Sequence, residues 1–482
     1  MRWRYIISSV GLLILFLAMA MLTTLSVSFW YRDGSARPIL FSAVITAFCG
    51  AALYFGFRDR TIDSLRPREG MAIVTLGWVA ASTFGALPFF LGIEACTVTD
   101  AFFESMSGFT TTGASILENI ESTGNGILFW RSLIQWLGGM GIIVLSIAIL
   151  PFLRVGGMQL YKAEVPSPVP DKLKPRIKET AALLWKVYLL FSIAMVALLL
   201  AGGMSLFESI CHAFTTMPTG GFSPRNLSIA HYQSPYFDTI FTIFMIFAGI
   251  NFTLHYQFLR GKTLVFWRDV ECRFFLILLA VLIAVVSIDL HGRVYHHLSE
   301  SIRYAAFQVT SIITTTGFAT ADYLQWPAMS QLILLTCMFI GASAGSTGGG
   351  VKILRVILLF KYCYREIFSM IHPQSVTHIK IGGRKVPDAV IRSVIGFLSL
   401  YVGLFVICTI LIAGMGVDFS TAIGAVAASI GNIGPGLGHV GPVGNYAGLP
   451  AAGKWLLAWC MLLGRLEIYT VIIFLAPEFW RK

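Results

Sequence analysis

Apolar residues run along the chain in ten blocks, roughly 5–30, 38–57, 71–93, 127–153, 180–202, 235–259, 274–290, 327–360, 389–414 and 451–476. A bilayer-spanning helix needs ~20 predominantly apolar residues, so the pattern predicts ten spans. The eighth block is overlong and contains the string Gly341-Ala-Ser-Ala-Gly345-Ser-Thr-Gly348-Gly349-Gly350, which predicts a helix interrupted at membrane depth. The first block follows Arg2 and Arg4 as a signal peptide would, but at 26 residues it is too long and reads as an uncleaved span.

The outer connections after blocks 3, 5, 7 and 9 share one texture: a semi-polar stretch, then Thr and Gly, then the next block. They read FESMSGFTTTGAS, ICHAFTTMPTGGFS, QVTSIITTTGFAT and VAASIGNIGPGLG. Aligning the Thr-Gly or Ile-Gly step puts Gly113, Gly220, Gly317 and Gly434 in register, an internal repeat of about 107 residues. Each unit holds two spans, so its copies enter the membrane from the same side and are parallel. The expected architecture is an all-α polytopic membrane protein with four parallel helix–pore loop–helix pseudo-repeats around one pore. An N-terminal two-helix hairpin occupies 1–69, and the repeats take 70–165, 166–260, 261–385 (with the interrupted second helix) and 386–482.

Composition agrees with this class: 56% of the 482 residues are hydrophobic, only 12% are charged, and the mean hydropathy is +0.77. A soluble chain would carry ~25% charged residues. The net charge of +11 has no water-facing domain on which to gather, which sets nucleic acid aside. The eight cysteines lie at least 26 residues apart, in or beside apolar blocks, with no metal or redox spacing.

With the N-terminus in the cytoplasm, the inner side collects 27 of the 35 basic residues. They include Arg58, Arg60, Arg66, Arg154, Lys162, Lys172, Lys174, Arg176, Arg260, Lys352, Arg355, Lys380, Arg481 and Lys482. Seven face outward: Arg32, Arg37, Arg131, Arg225, Arg293, Arg303 and Lys454. The positive-inside rule therefore puts both termini in the cytoplasm. Twelve acids accompany those seven outer bases, giving an outer face of net −5 that concentrates cations, or simply a solvated surface.

Each loop begins with a segment too short and too polar to span, yet apolar enough to sit among helices, as a re-entrant helix does. Acids or hydroxyls near the starts (Asp100, Ser205 with Glu208, Glu300, Asp418) orient the dipole so that partial negative charge points toward the membrane centre. The glycines then permit φ > 0, so that successive carbonyl oxygens of 110–113, 217–220, 314–317 and 431–434 replace a cation's water shell. The string at 341–350 reads either as a flexible gate below this filter or as a kink for close helix packing. It is not a Walker loop, since Lys352 neither directly follows G-x-x-x-x-G nor precedes Ser or Thr. Arg465, near the middle of the last span, is an electrostatic barrier, the holder of an opposing carbonyl, or a structural contact. His255 and the pair His296-His297 read as interfacial side chains. No catalytic constellation occurs at membrane depth, so the chain is not expected to be an enzyme.

The motifs SGFTTTGAS, TTMPTGGFSPRN, TTTGFATADY, GASAGSTGGGVK and GNIGPGLG resemble the TrkH/TrkG potassium-uptake proteins of the Trk/Ktr/HKT superfamily over essentially all of the chain. The resemblance implies a homodimer in the bacterial inner membrane, each protomer with its own pore, and a cytosolic ring of TrkA-type nucleotide-binding subunits. It implies K+ bound at Thr111, Thr112, Gly113, Thr219, Gly220, Thr315, Thr316, Gly317, Asn432, Ile433 and Gly434, with no covalent cofactor. It further implies a gate of Gly341, Gly345, Gly348, Gly349, Gly350 and a pore-facing Arg465. Gly113, where plant relatives that pass sodium carry Ser, points to potassium. The alternative is a proton- or sodium-coupled K+ symporter, for which Glu467 is the deep carboxylate.

Overall fold

In a computed structural model the described residues are 1–58, 67–148, 177–375 and 377–480. The inner basic residues Arg60, Arg66, Arg154, Lys162, Lys172, Lys174, Arg176, Arg481 and Lys482, the end of the fourth block and the boundary at 165/166 lie outside them.

Among the described residues the regular structure is helical apart from a hairpin of two two-residue strands, Lys380–Ile381 with Arg384–Lys385. Gly382 and Gly383 close that hairpin at φ 55° and 80°, as a primed turn requires. Among the described residues six helices are long and apolar enough to cross a membrane: Trp3–Tyr31, Ala36–Gly56, Arg68–Gly92, Ala181–Ala201, Val270–Leu290 and Asp388–Gly414. A bent pair, Pro235–Gly249 with Phe252–Leu259, makes a seventh if it counts as one span. The remaining apolar blocks fall on Asn125–Ala148, on the separate helices Ala328–Ile340 and Ile353–Ile371, and on Ala451–Arg465.

Two blocks that read as continuous in sequence are broken. The sixth turns by 102° at Ile250-Asn251, where the Asn251 side chain accepts the Thr253 N–H at 2.9 Å and starts a new helix. His255 lies buried at this bend rather than at an interface, one ring nitrogen 2.8 Å from the Phe247 carbonyl oxygen. The last block stops at Arg465, because Glu467 and Ile468 take φ of 56° and 52°, which a helix cannot continue through.

The first two helices form a hairpin whose backbones meet at Gly11 and Gly50. A Cβ at Gly11 would lie 3.0 Å from the Gly50 carbonyl oxygen, and one at Gly50 3.1 Å from that of Gly11. Small residues at a crossing permit this approach, and dispersion then holds two helices that lipid surrounds.

Four short helices lie inside the bundle: Val98–Phe109, Leu206–Thr216, Leu298–Ile313 and Phe419–Gly431. Three have side-chain N-caps of the expected kind. Thr97 accepts the Asp100 N–H at 3.1 Å, Ser205 that of Glu208 at 3.3 Å, and Asp418 that of Thr421 at 3.0 Å. The third starts at His297 without a side-chain cap. Their C-terminal turns are buried, so the carbonyl ends of four dipoles converge on the interior.

Candidate ion pathway

Each short helix ends in the same backbone. A residue in the left-handed region follows within three positions: Thr111 (φ 53°), Thr219 (58°), Thr315 (60°) and Asn432 (54°). The next N–H reaches back to a helix carbonyl: Thr112 to Ser107 at 2.9 Å, Gly220 to Thr215 at 2.8 Å, Thr316 to Ser311 at 2.8 Å and Ile433 to Ala428 at 2.9 Å. This is the Schellman closure of a helix end. Asn tolerates a positive φ, but three β-branched threonines there are backbone outliers, costing on the order of 1–3 kcal/mol each.

A second left-handed residue comes two positions later: Gly113 (φ 84°), Gly221 (75°), Gly317 (83°) and Gly434 (99°). The structure thus corrects the register of the second unit, where Gly221 and not Gly220 is equivalent to Gly113, Gly317 and Gly434. The close approaches say the same. A Cβ on Gly113 would strike the Gly220 carbonyl, one on Gly221 the Thr316 carbonyl, one on Gly317 the Ile433 carbonyl, and one on Gly434 would lie 2.7 Å from the Thr112 carbonyl oxygen. Each segment presses its glycine against the residue before the equivalent glycine of the next, and the fourth returns to the first. The four segments close a ring.

Around the ring the polar groups are braced. Thr110 and Thr112 hydroxyls meet at 2.8 Å, Thr314 and Thr316 at 2.9 Å, and Asn432 Nδ2 donates to Thr112 Oγ1 at 3.0 Å. Tyr446 donates to the Gly434 carbonyl and Tyr323 to that of Gly436, both at 2.7 Å. The Gly220 carbonyl accepts from Gln135 Nε2 at 2.7 Å. Behind the first segment, Glu104 and Arg131 pair at 2.6 Å in full burial. Glu104 also accepts the Ile116 N–H at 2.9 Å, and Arg131 donates to the Ser223 carbonyl at 2.9 Å. Arg131, assigned above to the outer surface, is an interior brace. Neither it, Glu104 nor Gln135 stands out in sequence, except as polar residues within or beside apolar runs.

The string 341–350 leaves the helix Ala328–Ile340 through Gly341 (φ 75°) and rejoins helix at Ile353. Between them it lies against the ends of three short helices. Thr347 Oγ1 donates to the Met217 carbonyl at 2.9 Å, and the Gly349 N–H donates to Thr315 Oγ1 at 2.7 Å. Gly348 lies beside the Thr314 carbonyl and Gly349 beside that of Gly431, where any Cβ would collide or crowd.

Arg465 reaches this loop: Nη1 donates to the Thr347 carbonyl at 2.7 Å and Nη2 to that of Gly138 at 3.4 Å. Glu271 holds the loop's other side, accepting the Ala344 N–H at 2.6 Å and the Leu354 N–H at 3.2 Å. Lys352 donates to the Gly348 carbonyl. Glu467, the carboxylate on which coupled transport would depend, is paired with Arg355 at 2.5 Å.

Membrane-length apolar helices around a closed ring of backbone segments, with a broken helix against it, define a polytopic membrane protein, and its relatives place it among transport proteins. The TrkH family, described as cation transport proteins, matches residues 37–482. The chain is 42% identical to the Trk system potassium uptake protein TrkH of Salmonella typhimurium over the whole of both chains. It is 36% identical to TrkG of Escherichia coli over 98% of this chain and 97% of that one. The crystal structure of the potassium transporter TrkH from Vibrio parahaemolyticus superposes with a TM-score of 0.91 at 38% identity, covering all of both chains. The chain belongs to the TrkH family. It is a membrane transport protein, not an enzyme.

Proposed function

We propose that the protein conducts potassium ions into the cytoplasm through one pore per chain, formed by four parallel pseudo-repeats within ten membrane passes. The repeats take 70–165, 166–260, 261–385 and 386–482, beside the hairpin 1–69. The observation that carries this reading is the cyclic approach of Gly113, Gly221, Gly317 and Gly434 to the next segment's carbonyls, since four strands closed on themselves enclose an axis. The names of the Trk relatives supply the ion. The filter comprises Thr111, Thr112, Gly113, Thr219, Gly220, Gly221, Thr315, Thr316, Gly317, Asn432, Ile433 and Gly434, with Gly220 serving as a wall contact. Only carbonyl and hydroxyl oxygens are on offer there, which suits a large monovalent cation shedding its water.

The 341–350 loop with Arg465 is the gate. A guanidinium beneath the filter opposes a cation by Coulomb repulsion, and its bonds to Thr347 and Gly138 hold the loop in the path. Glycines at Gly341, Gly345, Gly348, Gly349 and Gly350 let the loop rearrange. An inside-negative potential supplies ~2.3 kcal/mol per charge per 100 mV, enough for uptake without ATP hydrolysis by this chain.

The protein resides in the bacterial inner membrane with both termini cytoplasmic. Ion pairs that join residues assigned to one side support that sidedness: Arg225–Glu208, Lys454–Asp100 and Arg303–Asp238 outside, Arg2–Glu69 and Arg365–Asp388 inside. It works as a homodimer regulated by a cytosolic TrkA-type nucleotide-binding subunit.

The test is rubidium influx into liposomes holding the purified protein alone. Passive influx competed by K+, weakly by Na+, and indifferent to a pH gradient is expected. Influx that requires a proton gradient would overturn the pore in favour of coupled transport.

A further inference from the structure

The four ring segments are not braced alike. The first and third carry threonine pairs, 110 with 112 and 314 with 316, whose hydroxyls meet and hold each segment to its own helix end. The equivalent positions of the second segment are Pro218 and Gly220, which carry no hydroxyl. The space that a side chain at Gly220 would fill is taken by the amide of Gln135: a Cβ built on Gly220 would overlap its Cδ and Oε1. Gln135 belongs to the helix Asn125–Ala148, which packs beside this segment, and it is fully buried.

Its two amide atoms are both used. Nε2 donates to the Gly220 carbonyl at 2.7 Å, and Oε1 accepts the Phe222 N–H at 3.1 Å. These two contacts straddle Gly221, the left-handed glycine that presses on the Thr316 carbonyl. A primary amide is the side chain that offers one donor and one acceptor side by side, matching the C=O and N–H that the backbone presents here.

We infer that Gln135 is the positioning residue for the second filter segment, standing in for the missing threonine brace and setting the discrimination between K+ and Na+. The inference rests on the pore reading above. A filter discriminates through the number and placement of its oxygens, so a segment released at 220–222 loses its hold on the ion before it loses the fold. Because Gln135 comes from a different helix than the one it braces, the spacing between first and second units enters the filter geometry directly.

The experiment compares rubidium and sodium influx in liposomes for the wild-type protein, Gln135→Leu and Gln135→Met, each first shown monodisperse by gel filtration. Both variants keep the volume and remove both bonds, leaving Gly220 O and Phe222 N unpaired, so the K+ over Na+ preference is expected to fall about tenfold. Gln135→Glu is the rescue. At about pH 5 a buried carboxylic acid supplies the same donor and acceptor, and the wild-type ratio is expected to return. A wild-type ratio in whichever apolar variant folds would overturn the inference, as would a Glu variant at about pH 5 as unselective as the apolar ones. If the wild-type protein itself shows no potassium preference, the pore reading fails rather than the role of Gln135.

Discussion

In the ring, four segments press backbone against backbone, each glycine on the next segment's carbonyl. The 341–350 loop reaches the same helix ends through single hydrogen bonds from Thr347 and Gly349, and Arg465 donates to the loop's own Thr347 carbonyl. Backbone contacts closed in a ring cannot relax one at a time, because moving any segment opens two junctions. Contacts made by side chains to a glycine-rich strap can be exchanged singly. The ring's construction suits a fixed geometry, and the loop's suits an element with two positions. Buried polar bonds hold both, and Gly341 and Gly349 of the loop also lack room for a methyl group, but only in the ring do the backbone approaches close on themselves.

The sharpest way to break that contrast is to add the methyl. Gly317→Ala combines φ 83° with a collision against the Ile433 carbonyl, and Gly113→Ala and Gly221→Ala are equivalent. At about 3 kcal/mol or more of strain and overlap, rubidium influx is expected to fall at least a hundredfold. Gly220→Ala meets the Gln135 side chain rather than backbone and has no left-handed φ to strain, so its loss of influx is expected to be clearly smaller. Equal losses at 220 and 221 would refute the revised register.

Next in size is the loop. Arg465→Ala removes the donors that hold Thr347 and Gly138, each bond from a charged group being worth about 1.5–3 kcal/mol. Basal influx without any partner subunit is expected to rise about tenfold with unchanged K+ over Na+ preference. Altered selectivity with unaltered rate would reverse the assignment of the two regions. Glu271→Ala frees the Ala344 and Leu354 N–H groups on the loop's far side. A smaller rise, roughly threefold, is expected, because Arg465, Thr347 and Lys352 remain.

How much of this is legible in the sequence differs between the same two regions. The Thr-Gly steps and the interrupted eighth block announce the ring and the loop, because positive φ and broken helices have few residue solutions. The register of the second segment is hidden by adjacent glycines: in Thr219-Gly220-Gly221 either glycine can take φ > 0, and only the neighbour's carbonyl decides. The bend at Ile250-Asn251 and the stop after Arg465 are hidden for the opposite reason, since apolar residues continue through both. Arg131 misleads because a base near the start of an apolar block counts as surface until Glu104, twenty-seven positions away, is known to face it. Gln135 is one polar residue in RSLIQWLGGMG, and nothing local says which backbone it meets.

The smallest expected effect lies where the fourth short helix begins. Asp418 caps Phe419–Gly431, accepting the Thr421 N–H at 3.0 Å and the Ser420 hydroxyl at 2.7 Å, with His439 3.8 Å away. Bonds from the hydroxyls of Thr421 and Ser420 and from the Thr421 N–H bring its carboxyl down to about 2. A carboxyl whose folded value lies below the unfolded one, ~3.9, stabilises the folded protein at pH above that unfolded value. The contribution then drains away as pH falls from about 4 toward 2. The group is largely exposed, so Asp418→Ala is expected to lower the melting temperature in detergent by only about 1 °C at neutral pH. Asp418→Asn, which keeps the cap without the charge, is expected to melt near the wild type at neutral pH and to lack its acid-dependent component. Melting curves of the three proteins at pH 7 and about pH 3 check this. A wild-type melting temperature for Asp418→Ala at pH 7 would mean that burial of the helix against the ring, and not its cap, fixes where the fourth segment starts.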